Sequence, residues 1–179
     1  LDKPILDSLG IDKNKPEKQQ RNQTGCPILE EGDILLNTTL AETNDWQQVD
    51  LPVVRTLRHF CIETLSSYTE DNQACISEVD LLDDKGQPID KTKWEVVYIS
   101  SEQADKNLGV AENLFDGDIS SFWHTDPATE PGQPHRIIVD IKEIYKISAL
   151  RFKVRKGAFL SGKVKEINVY GRPQFFLFH

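Results

Sequence analysis

Hydrophobic and polar residues alternate in several short runs of the chain, and this alternation predicts β-strands. The clearest run is the Leu-Arg-Phe-Lys-Val-Arg of residues 150–155, whose apolar side chains would share one face of a strand. Less regular runs predict further strands at 53–65, 76–82, 94–99, 136–141 and 164–170. Only residues 104–114 can hold a helical turn or two. The pattern predicts an all-β sandwich or jelly roll and argues against a parallel nucleotide-binding sheet.

The chain of 179 residues is long enough for one sizeable core. Residues 1–25 are rich in Lys, Asp, Gln and Asn, which predicts a linker or a short irregular N-terminal arm before a sandwich at 26–179. A faint internal similarity links residues 57–81 to residues 150–169, because both contain an Arg-bearing strand followed by a Glu-apolar-polar-apolar strand. These are either two strands of one sandwich or a sign that residues 27–90 are the remnant of a preceding copy.

The net charge of −8 and the pI near 5.0 exclude some partners. No dense Lys/Arg cluster is present to neutralise phosphates, so nucleic acid is disfavoured, and so is binding to anionic membranes. No apolar run has the length of a membrane span, and no signal peptide opens the sequence. Methionine is absent even at position 1, which indicates a mature or excised fragment of a longer protein.

The three cysteines leave two interpretations open. Cys61 and Cys75 lie in strand-like runs and can face each other across a hairpin as a disulfide, with Cys26 left over. Alternatively, the odd number reflects free thiols, which are common in protein interiors.

Residues 111–125 contain the densest group of candidate ligand side chains in the sequence. They combine the carboxylates of Asp116 and Asp118 with Gly117 at a tight turn, two serine hydroxyls and Trp123. Carboxylate and hydroxyl oxygens around a sharp turn suit a hard cation such as calcium, although Asp-Gly is also a common turn that needs no metal. We assign Trp123, with Trp94, to the core.

Catalytic motifs are missing from the sequence. The four histidines form no motif with a nucleophile, and no Gly-x-Ser-x-Gly, His-Glu-x-x-His or phosphate loop occurs. Asp116 and Asp118 are two positions apart on one turn, so they cannot flank a glycosidic bond from opposite faces. These observations predict a protein that is not an enzyme.

Several separated motifs between 111 and 170 occur in an order that resembles a known superfamily. They are the Asp-Gly loop with Phe-Trp-His-Thr, then Pro-His-Arg-Ile-Ile-Val-Asp-Ile at 134–141, Tyr-Lys-Ile-Ser-Ala-Leu-Arg-Phe at 145–152, and Gly-Lys-Val-Lys-Glu-Ile-Asn-Val-Tyr at 162–170. Over residues 50–172 the chain resembles the discoidin, or coagulation factor 5/8 type C, superfamily, and within it family 32 carbohydrate-binding modules. The resemblance implies a galactose-binding-domain-like jelly roll that binds without catalysis, is joined to further domains and works outside the cell or on its surface.

The resemblance also implies a structural calcium beside the Asp-Gly loop. Its ligands by motif position are side-chain or backbone oxygens of six residues: Phe115, Asp116, Asp118, Ser121, Lys165 and Glu166. Phe115 and Lys165 would contribute carbonyls, and Ser121 stands where the family often has Thr. An all-oxygen set fits calcium, or sodium, better than zinc.

Sugar sites in this family lie in loops at one end of the sandwich, which implies a glycan or polysaccharide partner. Arg155 matches an arginine that the family often uses there, and Phe159 can supply a stacking face; the alternatives are an exposed strand arginine and a cap on the core. His124 and His135 also lie in family motifs and are either ligand-binding or structural. Ser161 replaces an Asn of the family, a departure from ordinary galactose specificity.

A second function fits the same resemblance. Some discoidin modules bind protein or phospholipid through apolar loop tips, and Phe159-Leu160 is such a pair. The acidic balance of the chain argues against anionic lipid.

Overall fold

The computed structural model describes residues 25–128, 132–154 and 162–179. The predicted arm at 1–25 therefore lies outside the described residues, apart from Gly25. Eight strands are present in this part of the chain: β1 Ile34–Thr39, β2 Gln47–Thr64, β3 Cys75–Ile76, β4 Glu78–Asp83, β5 Glu95–Ile99, β6 Trp123–His124, β7 His135–Lys153 and β8 Glu166–Arg172. Short 3₁₀ turns occupy Glu31–Asp33, Asp105–Asn107 and Ala111–Phe115. None of the helices in the described ranges has the length and hydrophobicity needed to cross a bilayer.

All strand pairs are antiparallel. Six strands form one sheet in the order β1-β8-β2-β7-β4, with β5 also paired to β7, while β3 and β6 form a small second sheet. The prediction of an all-β, discoidin-like β-sandwich is confirmed. The similar sequences around 57–81 and 150–169 contribute strands to a single sheet, because β2 and β4 both pair directly with β7.

The two longest strands, β2 and β7, run through most of the fold. The second half of β2, from His59 to Thr64, pairs with the start of β7, and the first half pairs with its end. Shifts in register between Asp50 and Arg55 and between Leu57 and His59 interrupt this ladder. Such irregularities bend long strands and let them contribute to two packed layers. β5 pairs with the first part of β7 and β4 with the last part.

The core lies between these layers and is rich in aromatic side chains. Phe60 and Trp94 meet edge to face with ring centroids 5.5 Å apart, and Trp94 lies 5.6 Å from Phe115. Trp123 is fully buried, and its indole N–H donates to the Ser101 carbonyl at 3.0 Å. The assignment of Trp94 and Trp123 to the core is confirmed.

The disulfide interpretation is wrong, because Cys61 and Cys75 are both free. Cys61 lies in β2 and packs with Ile138 and Phe176, whereas Cys75 lies in β3 opposite His124 in the other sheet. Burial, the largest effect, raises the pKa of the Cys61 thiol. A desolvated thiol of this kind is a packing residue rather than a reactive one.

Candidate functional site

The Asp-Gly turn brings three of the predicted metal ligands together. The Gly117 backbone has φ +78°, a conformation that favours glycine, and this closes the turn after the 3₁₀ segment Ala111–Phe115. Asp116 accepts hydrogen bonds at both oxygens, from the Asp118 N–H at 2.9 Å and the Ser121 hydroxyl at 2.5 Å. The Ser121 hydroxyl also lies 3.0 Å from the Asp118 carbonyl. The oxygens of Asp116, Asp118 and Ser121 therefore converge.

A further carboxylate, which the sequence analysis missed, reaches the same turn. Glu78 on β4 is fully buried, and the Gly117 N–H donates to its two oxygens at 3.2 and 3.3 Å. Burial is the main cause that raises the pKa of Glu78 to about 8. The neighbouring Asp116 carboxylate raises it further, whereas Lys91 acts in the opposite direction.

Glu78 is the first member of a chain of charged groups. The Lys91 ammonium group contacts the Glu78 carboxylate and donates to Asp80 at 2.5 Å. Arg151 on β7 donates to the other Asp80 oxygen at 2.7 Å. Burial acts to raise the pKa of Asp80, but the bonds from Lys91 and Arg151 hold it below its usual value.

The remaining predicted metal ligands lie apart from the Asp-Gly turn, with the exception of Phe115, which directly precedes Asp116. Glu166 begins β8, which β2 and β7 separate from β4 in the sheet, and its carboxylate accepts from the Asn37 amide at 3.4 Å. The Lys165 carbonyl accepts the Leu40 N–H at 2.7 Å. The structure thus brings Glu78, and not Glu166, to the turn. A signal for Glu78 was available, because Glu-Val-Asp-Leu at 78–81 has the same pattern as Glu-Ile-Asn-Val at 166–169.

Across residues 25–128, 132–154 and 162–179, no group of three or more His, Cys, Asp or Glu side chains is arranged to hold a metal ion. The carboxylates of Asp116 and Glu78 meet at the turn, together with the Ser121 hydroxyl and the Asp118 carbonyl. The Asp118 carboxylate accepts from Ser120 instead.

A cleft of about 340 Å³ lies at another edge of the fold. Its walls come from the segment between β1 and β2, the segment between β2 and β3, the residue after β7 and the segment before β8: Ala41, Glu42, Thr43, Asn44, Tyr68, Val154, Lys163 and Val164. The Tyr68 hydroxyl donates to the Leu40 carbonyl at 2.8 Å, which fixes the ring in the wall. The Lys163 ammonium group lies 4.0 Å from the Glu42 carboxylate. One aromatic ring and several polar side chains thus share a single concave surface.

The predicted sugar-binding residues stand in different relations to this cleft. Arg155 and Phe159 lie outside the described residues; the chain on either side of them, at Val154 and Lys163, forms part of the cleft wall. His124 and His135 are both buried. His124 Nδ1 bonds the Thr125 carbonyl, and His135 Nε2 donates to the Asn72 carbonyl at 2.7 Å. Burial lowers the pKa of His135, so this geometry favours the structural interpretation.

Residues 97–174 match the F5/8 type C domain family. The chain is also 32% identical over 84 residues to a sialidase of Micromonospora viridifaciens, an alignment that covers 46% of this chain and 13% of the relative. The resemblance to the discoidin superfamily is thereby confirmed for this part of the chain. F5/8 type C domains are non-catalytic binding modules, so the match supports a discoidin-type or carbohydrate-binding module over residues 97–174.

Proposed function

We propose that this chain is a non-catalytic carbohydrate-binding module and that it binds a glycan in the cleft. The observation that carries the proposal is the composition of the cleft wall, which pairs the Tyr68 ring with the side chains of Thr43, Asn44 and Lys163. A pyranose has an apolar face that packs on an aromatic ring and hydroxyls that need donors and acceptors. The cleft supplies both kinds of group.

Arg155 and Phe159 are proposed as further ligand-binding residues. Arg155 directly follows Val154, and the segment that contains both returns to the cleft at Lys163. A guanidinium group and an aromatic ring at this edge would add to the recognition that the cleft supplies. We propose structural roles for His124 and His135, because both side chains are buried.

We also propose a structural calcium at the Asp-Gly turn. Its donors would be the Asp116 and Glu78 carboxylates, the Ser121 hydroxyl and the backbone oxygens of Asp118 and Phe115, an oxygen set that fits calcium. Two carboxylates that face each other repel, and the Asp116 carboxylate adds to burial, the main effect, in raising the pKa of Glu78. A divalent cation between them would hold both ionised and clamp β4 to the turn. In this arrangement Glu78 takes the role that the sequence analysis assigned to Glu166.

The setting of the module is part of the proposal. The sialidase relative is much longer than the matched segment, because the alignment covers only 13% of that protein. We propose that the module is joined to other domains in a secreted or cell-surface protein and directs that protein to a glycan, with no contact to nucleic acid or membrane.

A glycan array, run with calcium and with a chelator, tests the proposal. Wild type should bind at least one glycan, and Lys163→Ala should reduce that binding because it removes a donor from the cleft wall. Lys85→Ala is the matched control, since Lys85 is exposed on the turn after β4. Binding of no glycan, together with sedimentation with liposomes or capture of a protein ligand, would favour the alternative discoidin-type adhesion function.

A further inference from the structure

A row of polar side chains crosses three strands on the outer face of the sheet. Arg151 on β7 lies directly opposite Gln48 on β2 on one side and Asp80 on β4 on the other. Arg151 donates to Asp80 at 2.7 Å, and its side chain is about one third exposed, at 35%. The residues that alternate with this row, Val79 and Leu150 among them, point into the core. The row is therefore the solvent face of the sheet.

An aromatic residue stands at one end of this row. Trp46 lies two positions before Gln48, and the Arg151 guanidinium lies over its ring at 5.2 Å from the centroid. Trp46 is 39% exposed, whereas Trp94 and Trp123 are buried. Exposure of a tryptophan ring to water is costly in proportion to its apolar area, so an ordered exposed ring is a common feature of binding surfaces.

Polar groups next to the ring offer both donors and acceptors. The Gln48 amide donates to the exposed Asp50 carboxylate at 3.0 Å, which leaves the Gln48 carbonyl oxygen and the second Asp50 oxygen free for a ligand on that face. Arg151 is paired with Asp80, and Lys91 contacts both Asp80 and Glu78 beside it. The surface has donors and acceptors without a strong field of one sign, which suits a neutral ligand rather than an anion.

This surface is continuous with the cleft. Asn44 lines the cleft, and Trp46 follows two positions later, after a bend of the chain at residues 44–45. The Lys153 ammonium group donates to the Asn44 carbonyl at 2.5 Å and ties this segment to the end of β7, beside Arg151. The Trp46 ring therefore lies close in the chain to the side of the cleft that Asn44 forms.

We propose that Trp46, Gln48, Asp50 and Arg151 form a second carbohydrate subsite, which receives the continuation of a neutral polysaccharide whose first unit occupies the cleft. The inference rests on the proposed function and deepens it, because it assigns the module to chains rather than to single terminal sugars. A sugar ring stacks on Trp46, and Arg151 holds the indole in place. Gln48 and Asp50 form hydrogen bonds with the hydroxyls of the sugar. Because the ring is fixed before the ligand arrives, little conformational entropy is lost on binding.

The test uses soluble neutral polysaccharides, namely galactan, xylan, mannan and β-glucan, together with their monosaccharides. Trp46 is the exposed one of the three tryptophans, so acrylamide quenching of tryptophan fluorescence reports mainly on its ring. We expect a bound polysaccharide to protect the fluorescence from acrylamide. We expect Trp46→Ala to weaken polysaccharide binding in affinity electrophoresis about tenfold or more and to leave monosaccharide binding unchanged. Trp46→Phe, which keeps a stacking face, should retain most of the affinity.

The outcomes separate this subsite from the cleft. Polysaccharide binding that Trp46→Ala does not weaken, or that gives no protection from acrylamide, overturns the subsite and leaves the cleft standing. Binding that is lost in Trp46→Ala but unchanged in Lys163→Ala supports the subsite and overturns the cleft as the primary site. Binding of monosaccharides without tighter binding of any polysaccharide also overturns the subsite. Thermal unfolding of each variant shows that the fold is retained.

Discussion

The carboxylates of Glu78 and Asp116 face each other at the Asp-Gly turn, and the Gly117 N–H donates to Glu78. The two acids come from separate parts of the chain, a buried position on the last strand of the sheet, β4, and a surface turn. Their proximity couples the protonation of a buried group to the position of the turn. The stability of the fold should therefore respond to pH and to cations at this place.

The first prediction concerns pH in calcium-free buffer. Glu78 titrates near 4.5 when unfolded and near 8 when folded, so the folded protein holds a proton that the unfolded chain releases. The stabilisation is complete below the lower value and is lost as the pH rises through about 8. The free energy of unfolding should fall with rising pH between about pH 6.5 and 8, by up to about 1.4 kcal/mol per pH unit, and should level off above that range, as measured by urea denaturation.

Glu78→Gln is the matched variant for this measurement. The amide resembles a protonated carboxyl but does not titrate, so the slope between about pH 6.5 and 8 should disappear. The pKa values of His59 and His135 are lowered from 6.5, mainly by burial. Their protonation therefore affects stability below about pH 6.5, outside the pH range in which Glu78 is compared. Equal slopes in wild type and Glu78→Gln would contradict the assignment.

The second prediction concerns calcium. If calcium binds the native turn, it raises the melting temperature by mass action, and chelator reverses the rise. Asp116→Asn and Glu78→Gln should each abolish the calcium-dependent rise, because each removes one of the two carboxylates at the turn. Glu166→Gln should retain it, since Glu166 lies on β8 and bonds Asn37. Differential scanning fluorimetry with and without calcium is sufficient.

The three variants also separate the two ligand sets. Loss of the effect in Glu166→Gln, with the effect retained in Glu78→Gln, would restore the ligand set that the family resemblance implies. Absence of any calcium effect on wild type would remove the metal from the proposed function without touching the cleft.

The third prediction concerns His135. Its ring donates to the Asn72 carbonyl from a buried position, so His135→Ala leaves that carbonyl without its partner. We expect a loss of about 1–3 kcal/mol in the free energy of unfolding. Glycan affinity should be unchanged under conditions where the variant is folded. His179→Ala, at an exposed position, is the control, and a loss of glycan affinity without a loss of stability would assign His135 to the binding site instead.

The fourth prediction separates the tryptophans. Trp123→Ala removes a fully buried ring and its bond to Ser101, and should cost about 3–5 kcal/mol in denaturant unfolding. Trp46→Ala removes an exposed ring and should change stability by less than about 1 kcal/mol. A comparable loss in Trp46→Ala would show that this ring supports the fold rather than a ligand.

The strands whose burial alternates, such as β8 and the end of β7, were predictable from sequence, because one face of each is in the core. β1 was not predicted, since its Ile-Leu-Leu-Asn-Thr-Thr does not alternate and it is held by pairing with β8. The strands predicted at 136–141 and 150–155 belong to one continuous strand, β7. Residues 145–147, which lie between them, pair with residues 55–57 of β2. Pairing of this kind depends on the partner strand and leaves no periodic signal.

The candidate site was predictable only in its local part. Asp116, Asp118 and Ser121 lie within one turn, so the sequence places them together. Glu78 and Glu166 have the same local pattern, and only the order of strands in the sheet decides which of them reaches the turn. The cleft joins residues 41–44 to residues 163–164, a proximity that arises when β1 pairs with β8.

Lys153 and Val154 are neighbours in the chain but contact different parts of the fold. Lys153 pairs with Glu78 across β7 and β4, whereas Val154 forms part of the cleft wall. The backbone at the end of β7 thus pairs with β4 at Glu78 and, one residue later, forms part of the cleft wall. We therefore expect a change that displaces β4 at Glu78 to act on the same strand end that carries one wall of the cleft.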